Sequence, residues 1–291
     1  MQPAMAETPE ISFRHVGRTY RGRSGYTEAL QHIDLSIAQN EFVSLVGPSG
    51  CGKSTALMLM AGLDQPDSGQ VEVEGKKVIE PSDRVGIVFQ DATLLPWKSV
   101  MENVLYPARI RGIPVKRVEP QAAALLELLG LERFKDRLPH ELSGGMRQRV
   151  GICRALAYSP RVLLLDEPFS ALDALTRDEM NLLLLELTES LRQTVVLITH
   201  SIQEALLLSD RVLVMSARPG RIIADISVPF ERPRRPADVL HSPDFRHLEA
   251  QIRDLISGHE PGSSARTPNA LFRQRLESFR QQIQTQTQNI V

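Results

Sequence analysis

The feature that most limits what this chain can fold into is a glycine-punctuated nonapeptide set between two apolar runs. Phe42-Val43-Ser44-Leu45-Val46 reads as a buried strand. Gly47-Pro48-Ser49-Gly50-Cys51-Gly52-Lys53-Ser54-Thr55 follows it, and Ala56 to Ala61 is an apolar run of helix formers. Gly47, Gly50 and Gly52 let the backbone turn sharply with its amide hydrogens inward, and the new helix adds its positive N-terminal end to the same point. The product is a P-loop, a cradle for the phosphates of a nucleoside triphosphate. Lys53 is expected to reach the β- and γ-phosphates and Ser54 to ligate Mg²⁺. Cys51 reads either as a small loop residue or as a reactive thiol at a helix N-terminus.

Around this unit, short apolar strands recur between helical stretches: Ile11 to Val16, Val71 to Val73, Val85 to Phe89, Val162 to Leu165, Val195 to Thr199, Val212 to Met215 and Ile222 to Ile226. That alternation argues an α/β domain. It is interrupted at about residues 95–159, a mostly helical stretch that reads as a nested helical subdomain. A helix with Phe245, Leu248, Ile252 and Leu255 on one face is expected to close the domain, which spans residues 1–258. Residues 259–291 are expected to be a Gly- and Ser-containing linker and a C-terminal tail, partly disordered or an amphipathic helix, in which Phe272, Leu276, Phe279 and Ile283 form a narrow apolar stripe in a Gln-rich context.

Composition narrows the function classes. With 34 basic against 35 acidic residues there is no electrostatic footprint for nucleic acid. No apolar run approaches the roughly 20 residues of a membrane span. Met1 to Glu10 lacks a charged n-region and an apolar h-region, so no secretory signal is expected. Two cysteines, Cys51 and Cys153, make no disulfide framework, which fits a cytoplasmic location.

Further elements follow the P-loop in order. Val162-Leu163-Leu164-Leu165-Asp166-Glu167 is a buried strand ending in two carboxylates. Asp166 is placed to hold the Mg²⁺ shell opposite Ser54, and Glu167 is the candidate general base. Leu142-Ser143-Gly144-Gly145-Met146 opens another helix with its amides presented to an anion, a pattern that also serves as an ordinary N-cap.

Together these segments resemble the ATP-binding cassette (ABC) family. Its signature is a Leu-Ser-Gly-Gly-Gln-like segment, here with Met146 in the fifth position. The resemblance extends to Gln90 (the Q-loop), Ser170-Ala171-Leu172-Asp173 (the D-loop) and His200 (the switch histidine), and covers about residues 11–226. It implies a P-loop NTPase core of ABC type with an antiparallel β edge, ATP and Mg²⁺ as cofactors, and two copies packed head to tail. Each ATP would then lie between the Lys53 loop of one chain and Ser143, Gly144 and Gly145 of the other. It also implies that Gln90 senses Mg²⁺ and the attacking water, that His200 contacts the γ-phosphate and that Asp173 links the two sites. Tyr20 resembles the aromatic that stacks on adenine, with Tyr26 as competitor.

Phe89-Gln90-Asp91-Ala92-Thr93-Leu94-Leu95-Pro96-Trp97 looks like the importer branch for nitrate, alkanesulfonates and taurine. That likeness implies an energy-coupling ATPase at the cytoplasmic face of the inner membrane. Its partners would be integral permease subunits and, through them, a periplasmic or extracellular solute-binding protein. Trp97 reads as a partner contact or as a core aromatic. An exporter or lipid-extraction ATPase, and a soluble cassette working on nucleic acid or ribosomes, are the alternatives.

Overall fold

The computed structural model describes residues 9–22, 25–170, 172–232, 234 and 236–258. The amphipathic stripe from Phe272 to Ile283 lies outside the described residues, as does Ala171.

In chain order, β1 (Ile11–Gly22) and β2 (Gly25–Ile37) form a long hairpin, followed by β3 (Phe42–Val46), α1 (Lys53–Met60), β4 (Ser68–Val73), β5 (Lys76–Lys77) and β6 (Val85–Val88). Helices α2 (Val100–Ile110), α3 (Val115–Leu128) and α4 (Gly144–Leu156) come next, with short 3₁₀ turns at Glu132–Phe134 and Pro139–Glu141. The second half returns to alternation: β7 (Val162–Asp166), α5 (Ala174–Leu191), β8 (Thr194–Ile198), α6 (Ile202–Leu208), β9 (Arg211–Met215), β10 (Ile222–Ser227), α7 (Pro236–Leu240) and α8 (Pro243–Ser257).

Two sheets result. One is antiparallel, in the order β2-β1-β4-β5; the other runs β10-β9-β3-β8-β7-β6 and is parallel except for its β10 edge. The larger sheet is covered on both faces, so its strands are continuous apolar runs rather than alternating ones. Their side chains divide with a period of two. Val162, Leu164, Val196 and Ile198 meet the antiparallel sheet and α1, whereas Leu163, Leu165, Val195 and Leu197 face the helical side. A third cluster joins β9 and α6 to Phe245 and Ile252 of α8, with Leu248 and Leu255 packed against it, so this helix does seal the last parallel strand.

The sequence pattern missed β2. Its first four residues are exposed and its buried positions begin only at Ala29, so no apolar run announces it; the Gly25 end pairs instead with Gly22 as a protruding hairpin tip.

Between β6 and β7, one buried polar side chain organises the entry to α2. Asn103 is fully buried; its Oδ1 accepts from the Leu95 amide, and its Nδ2 donates to the carbonyls of Leu95, Lys98 and Ser99. Ser99 and Glu102 add a reciprocal capping box. We expect Asn103→Leu to orphan several of these groups at about 1–3 kcal/mol each. Thermal unfolding should fall by many degrees; an unchanged midpoint would mean water replaces the side chain freely.

Candidate nucleotide site

Strands β3, β8 and β7 lie side by side in the parallel sheet. The segments that leave their carboxyl ends therefore meet in one crevice, the usual ligand position in open α/β sheets. Those segments are the Gly47–Thr55 loop, Thr199-His200 and Asp166-Glu167. A cleft of about 530 Å³ opens there, lined by Ser49, Gly50, Gly52, Lys53, Ser54, Thr55, Glu167 and His200 together with Tyr20, Thr27, Ala29 and Arg218.

The loop's shape depends on glycine at two points. Gly50 has φ +72° and Gly52 has φ +107°. A Cβ on Gly52 would also stand 2.8 Å from the Ala29 carbonyl oxygen, so the loop is pressed against β2 with no room for a side chain. Lys53 is only 8% exposed and donates to the carbonyls of Gly47 (2.9 Å) and Pro48 (3.1 Å). The ammonium is thus already inside the loop that it is expected to bridge to phosphate. The thiol of Cys51 is buried in the core between the sheets, which overturns the reactive-thiol reading: only its backbone is left to serve a ligand. Gly47 and Pro48 lie behind the cleft rather than on its wall.

At the end of β7 the chain turns abruptly. Glu167 adopts φ +46°, a left-handed conformation that costs a non-glycine residue about 1–3 kcal/mol, and strain of this kind collects at functional sites. Its amide donates to the Ile198 carbonyl of β8 at 2.9 Å, which pins the turn. The carboxylate then stands between two polar side chains: Gln90 Nε2 donates to Oε2 at 3.3 Å, and His200 Nδ1 lies 3.3 Å from the same oxygen. His200 is held at the start of α6, where Thr199 Oγ1 accepts from the Ser201 amide and donates to Glu204. Residues distant in sequence therefore converge on one carboxylate at the cleft.

Asp166, the residue before, is more enclosed. Burial raises its carboxyl above the usual range, the neighbouring Ser54 hydroxyl and the Lys53 charge oppose that shift, and Glu167 adds to it. Among the described residues no three His, Cys, Asp or Glu side chains gather to hold a metal by themselves. One carboxylate beside one hydroxyl nevertheless suits Mg²⁺, which keeps several waters and takes much of its shell from substrate phosphates.

Of the two tyrosines, Tyr20 lines the cleft and Tyr26 does not. Tyr26 projects from the hairpin tip at 76% exposure. Tyr20 is fixed, its hydroxyl donating to Asp64 at 2.7 Å and its ring lying 4.8 Å from the Arg18 guanidinium carbon. Burial works against the Asp64 charge, but the hydrogen bonds from Tyr20 and from the Gln65 amide, with Arg18, hold this carboxyl below the usual range.

Ser143, Gly144, Gly145 and Asp173 do not reach the cleft of their own chain. Ser143 caps α4, accepting from the Met146 amide at 3.2 Å, and Ser143 and Gly144 are exposed. A Cβ on Gly145 would stand 2.6 Å from the Leu172 side chain, which would have to move to admit it. Asp173 caps α5 through the Thr176 amide (3.0 Å), a bond that keeps its carboxyl below the usual range.

Sequence reading also missed three polar side chains that grip this region through backbone carbonyls. Gln148 of α4 is buried and donates to the Phe89 carbonyl; Arg154, also of α4, donates to the carbonyls of Ala92 and Thr93. Arg218, in the β9–β10 turn, donates twice to the Gly50 carbonyl. Each is an ordinary polar residue in sequence, and only the fold brings its acceptor near.

A phosphate cradle between a buried strand and a helix, with a carboxylate pair ending a parallel strand of the same sheet, places the protein among the P-loop nucleoside triphosphatases. Comparison with known proteins narrows the class. The family model described as ABC transporter matches residues 30–170. The nitrate import ATP-binding protein NrtD of Synechococcus elongatus is 40% identical over 267 residues, covering 87% of this chain and 95% of its own. The taurine import ATP-binding protein TauB of Sinorhizobium fredii is 44% identical over 259 residues, 87% of this chain and 97% of its own. Among solved structures, a dimeric ATP-binding cassette in a post-hydrolysis state bound to ADP and Pi superposes with a TM-score of 0.69 at 33% identity, covering 76% of this chain and all of that one. This chain belongs to the ABC transporter family, as one of its ATP-binding subunits. The expectations of an ABC-type α/β fold and of a transporter ATPase therefore hold.

Proposed function

We propose that the chain is the ATP-hydrolysing, energy-coupling subunit of an importer for aliphatic sulfonates, taurine, nitrate or a similar small anion. The observation that carries the enzymatic part is the convergence of Gln90 and His200 on the Glu167 carboxylate beside the Lys53 loop. In this reading Lys53 and the loop amides of Gly50 to Thr55 hold the β- and γ-phosphates. Glu167 accepts the proton of the attacking water while Gln90 orients that water and His200 steadies the γ-phosphate. Ser54, Asp166 and Gln90 would hold Mg²⁺, which when bound neutralises phosphate charge. Tyr20 offers its ring to adenine.

Two copies acting head to tail complete each site. Ser143 and Gly144 of one copy, exposed at the N-terminus of α4, and the half-buried Gly145 close on the nucleotide of the other, and Asp173 lies between the sites. The dimeric solved relative supports this arrangement.

The transporter part rests on surface chemistry and on kinship with import subunits. None of the described helices is long and apolar enough to cross a membrane. Trp97 is 71% exposed, against the reading of a core aromatic. Its turn adjoins an apolar groove of about 430 Å³ between the core and α2, whose lining includes Leu63, Phe89, Tyr106 and Ile110; Lys98 lies 5.7 Å from the Tyr106 ring centre. A permease helix seated there would touch the Q-loop directly, holding the subunit at the cytoplasmic face of the inner membrane, with a solute-binding protein feeding the permease from outside.

Trp97→Ala should then weaken attachment to the permease by about tenfold or more, as expected for a buried aromatic anchor, and leave nucleotide binding by the isolated subunit unchanged. Co-purification with the permease and a nucleotide titration check the two halves; full assembly in the variant would remove Trp97 from the interface. Uptake of labelled taurine, an alkanesulfonate or nitrate by the reconstituted complex identifies the cargo, and ATP-independent uptake of all three would overturn the importer reading.

A further inference from the structure

We propose that Arg218 is a nucleotide-binding residue, a second cation of the cleft that holds the polyphosphate of ATP or ADP together with Lys53. The proposal rests on the reading of the cleft as an ATP site.

Three observations support it. First, Arg218 is on the cleft wall with Ser49, Gly50 and Gly52, although it comes from the β9–β10 turn, far outside the Gly47–Thr55 motif. Second, its guanidinium is aimed rather than loose: Nε and Nη2 both donate to the Gly50 carbonyl, at 3.1 and 2.9 Å. The turn behind it is seated just as firmly, for the Gly220 amide donates to the Ala29 carbonyl and a Cβ on Gly220 would fall 2.1 Å from the Cys51 carbonyl oxygen. Third, the charge is uncompensated. The arginines Arg18, Arg211 and Arg232 each meet carboxylates, whereas Arg218 has no ion-pair partner among the described residues, and its Nη1 has no acceptor there.

Guanidinium is always charged at neutral pH, and its fork suits phosphate oxygens. An arginine held without a counter-ion on the wall of this cleft is suited to a phosphate oxygen. Lys53 and Arg218 are both turned onto loop carbonyls, one onto Gly47 and Pro48, the other onto Gly50. The polyphosphate would engage both.

The full-length chain and three variants test this. Arg218→Gln keeps an amide able to donate to the Gly50 carbonyl but loses the charge; Arg218→Lys keeps charge with fewer donors; Arg218→Ala loses both. Kd for ATP, ADP and adenosine is measured by competition against a fluorescent nucleotide. For a phosphate contact, Arg218→Gln and Arg218→Ala should both weaken ATP and ADP by about tenfold, the size of one charge-assisted hydrogen bond, with adenosine unmoved and Arg218→Lys recovering most of the loss. In the ATPase assay KM for ATP should rise with kcat little altered. If Arg218→Gln binds ATP like the unaltered chain, the residue only braces Gly50 and the proposal fails. It also fails if adenosine weakens equally. Should Arg218→Ala not fold, the Gln and Lys variants still separate a phosphate contact from a brace, while an unaltered chain that binds no ATP would instead overturn the reading of the cleft.

Discussion

Glu167→Gln should bind ATP as tightly as the unaltered chain and hydrolyse it about 10²–10⁴-fold more slowly, the range that removal of a general base produces. Selectivity of this kind follows from the geometry. The carboxylate supports none of the phosphate cradle: Lys53 bonds to Gly47 and Pro48, and the turn at residue 167 is pinned by backbone to Ile198. A glutamine fits the same place and still accepts from Gln90, so binding and fold are spared. Nucleotide affinity and turnover of the purified complex measure the two sides, and nucleotide-dependent dimers should accumulate because ATP is held unhydrolysed. Near-normal turnover would move the base elsewhere.

The second large effect is expected from paired lesions. Lys53→Ala should abolish productive phosphate binding on its own chain. Ser143→Arg should leave that chain's loop intact and block the neighbour's nucleotide, since a long cation at the tip of α4 fills the gap that Ser143 and Gly144 leave open. In a mixed dimer both lesions fall on one site and the other is untouched. Such dimers should retain about half of the nucleotide-dependent closure, whereas either homodimer loses all of it. Equal and complete loss in all three species would contradict the head-to-tail arrangement.

These predictions come from residues that the sequence alone singles out for the roles proposed here, because phosphate chemistry demands fixed spacing along the chain. Lys53, Ser54, Asp166 and Glu167 sit next to backbone features that the sequence itself announces: glycines with left-handed dihedrals and an apolar strand that stops at a carboxylate. Strand β2 was not legible, since a half-exposed hairpin arm carries no apolar run. Neither were Asn103, Gln148, Arg154 and Arg218. Their partners are main-chain carbonyls, most of them far along the chain, and every residue type has a carbonyl, so no pattern of side chains betrays the pairing. That Tyr20 and not Tyr26 lines the cleft likewise follows from hairpin register, which sets Tyr20 opposite Thr27 and sends Tyr26 out to the tip.

Helix α4 is about 20 Å long at the standard rise. Its first residues face outward behind Ser143, and its flank is riveted to the stretch from Phe89 to Thr93 by Gln148 and Arg154. That stretch contains Gln90, which donates to the Glu167 carboxylate, while the helix tip is the part that the proposed head-to-tail pairing sets on the neighbour's nucleotide. In the proposed head-to-tail pair, α4 would link Gln90 to the tip over the neighbouring site without passing through the sheet.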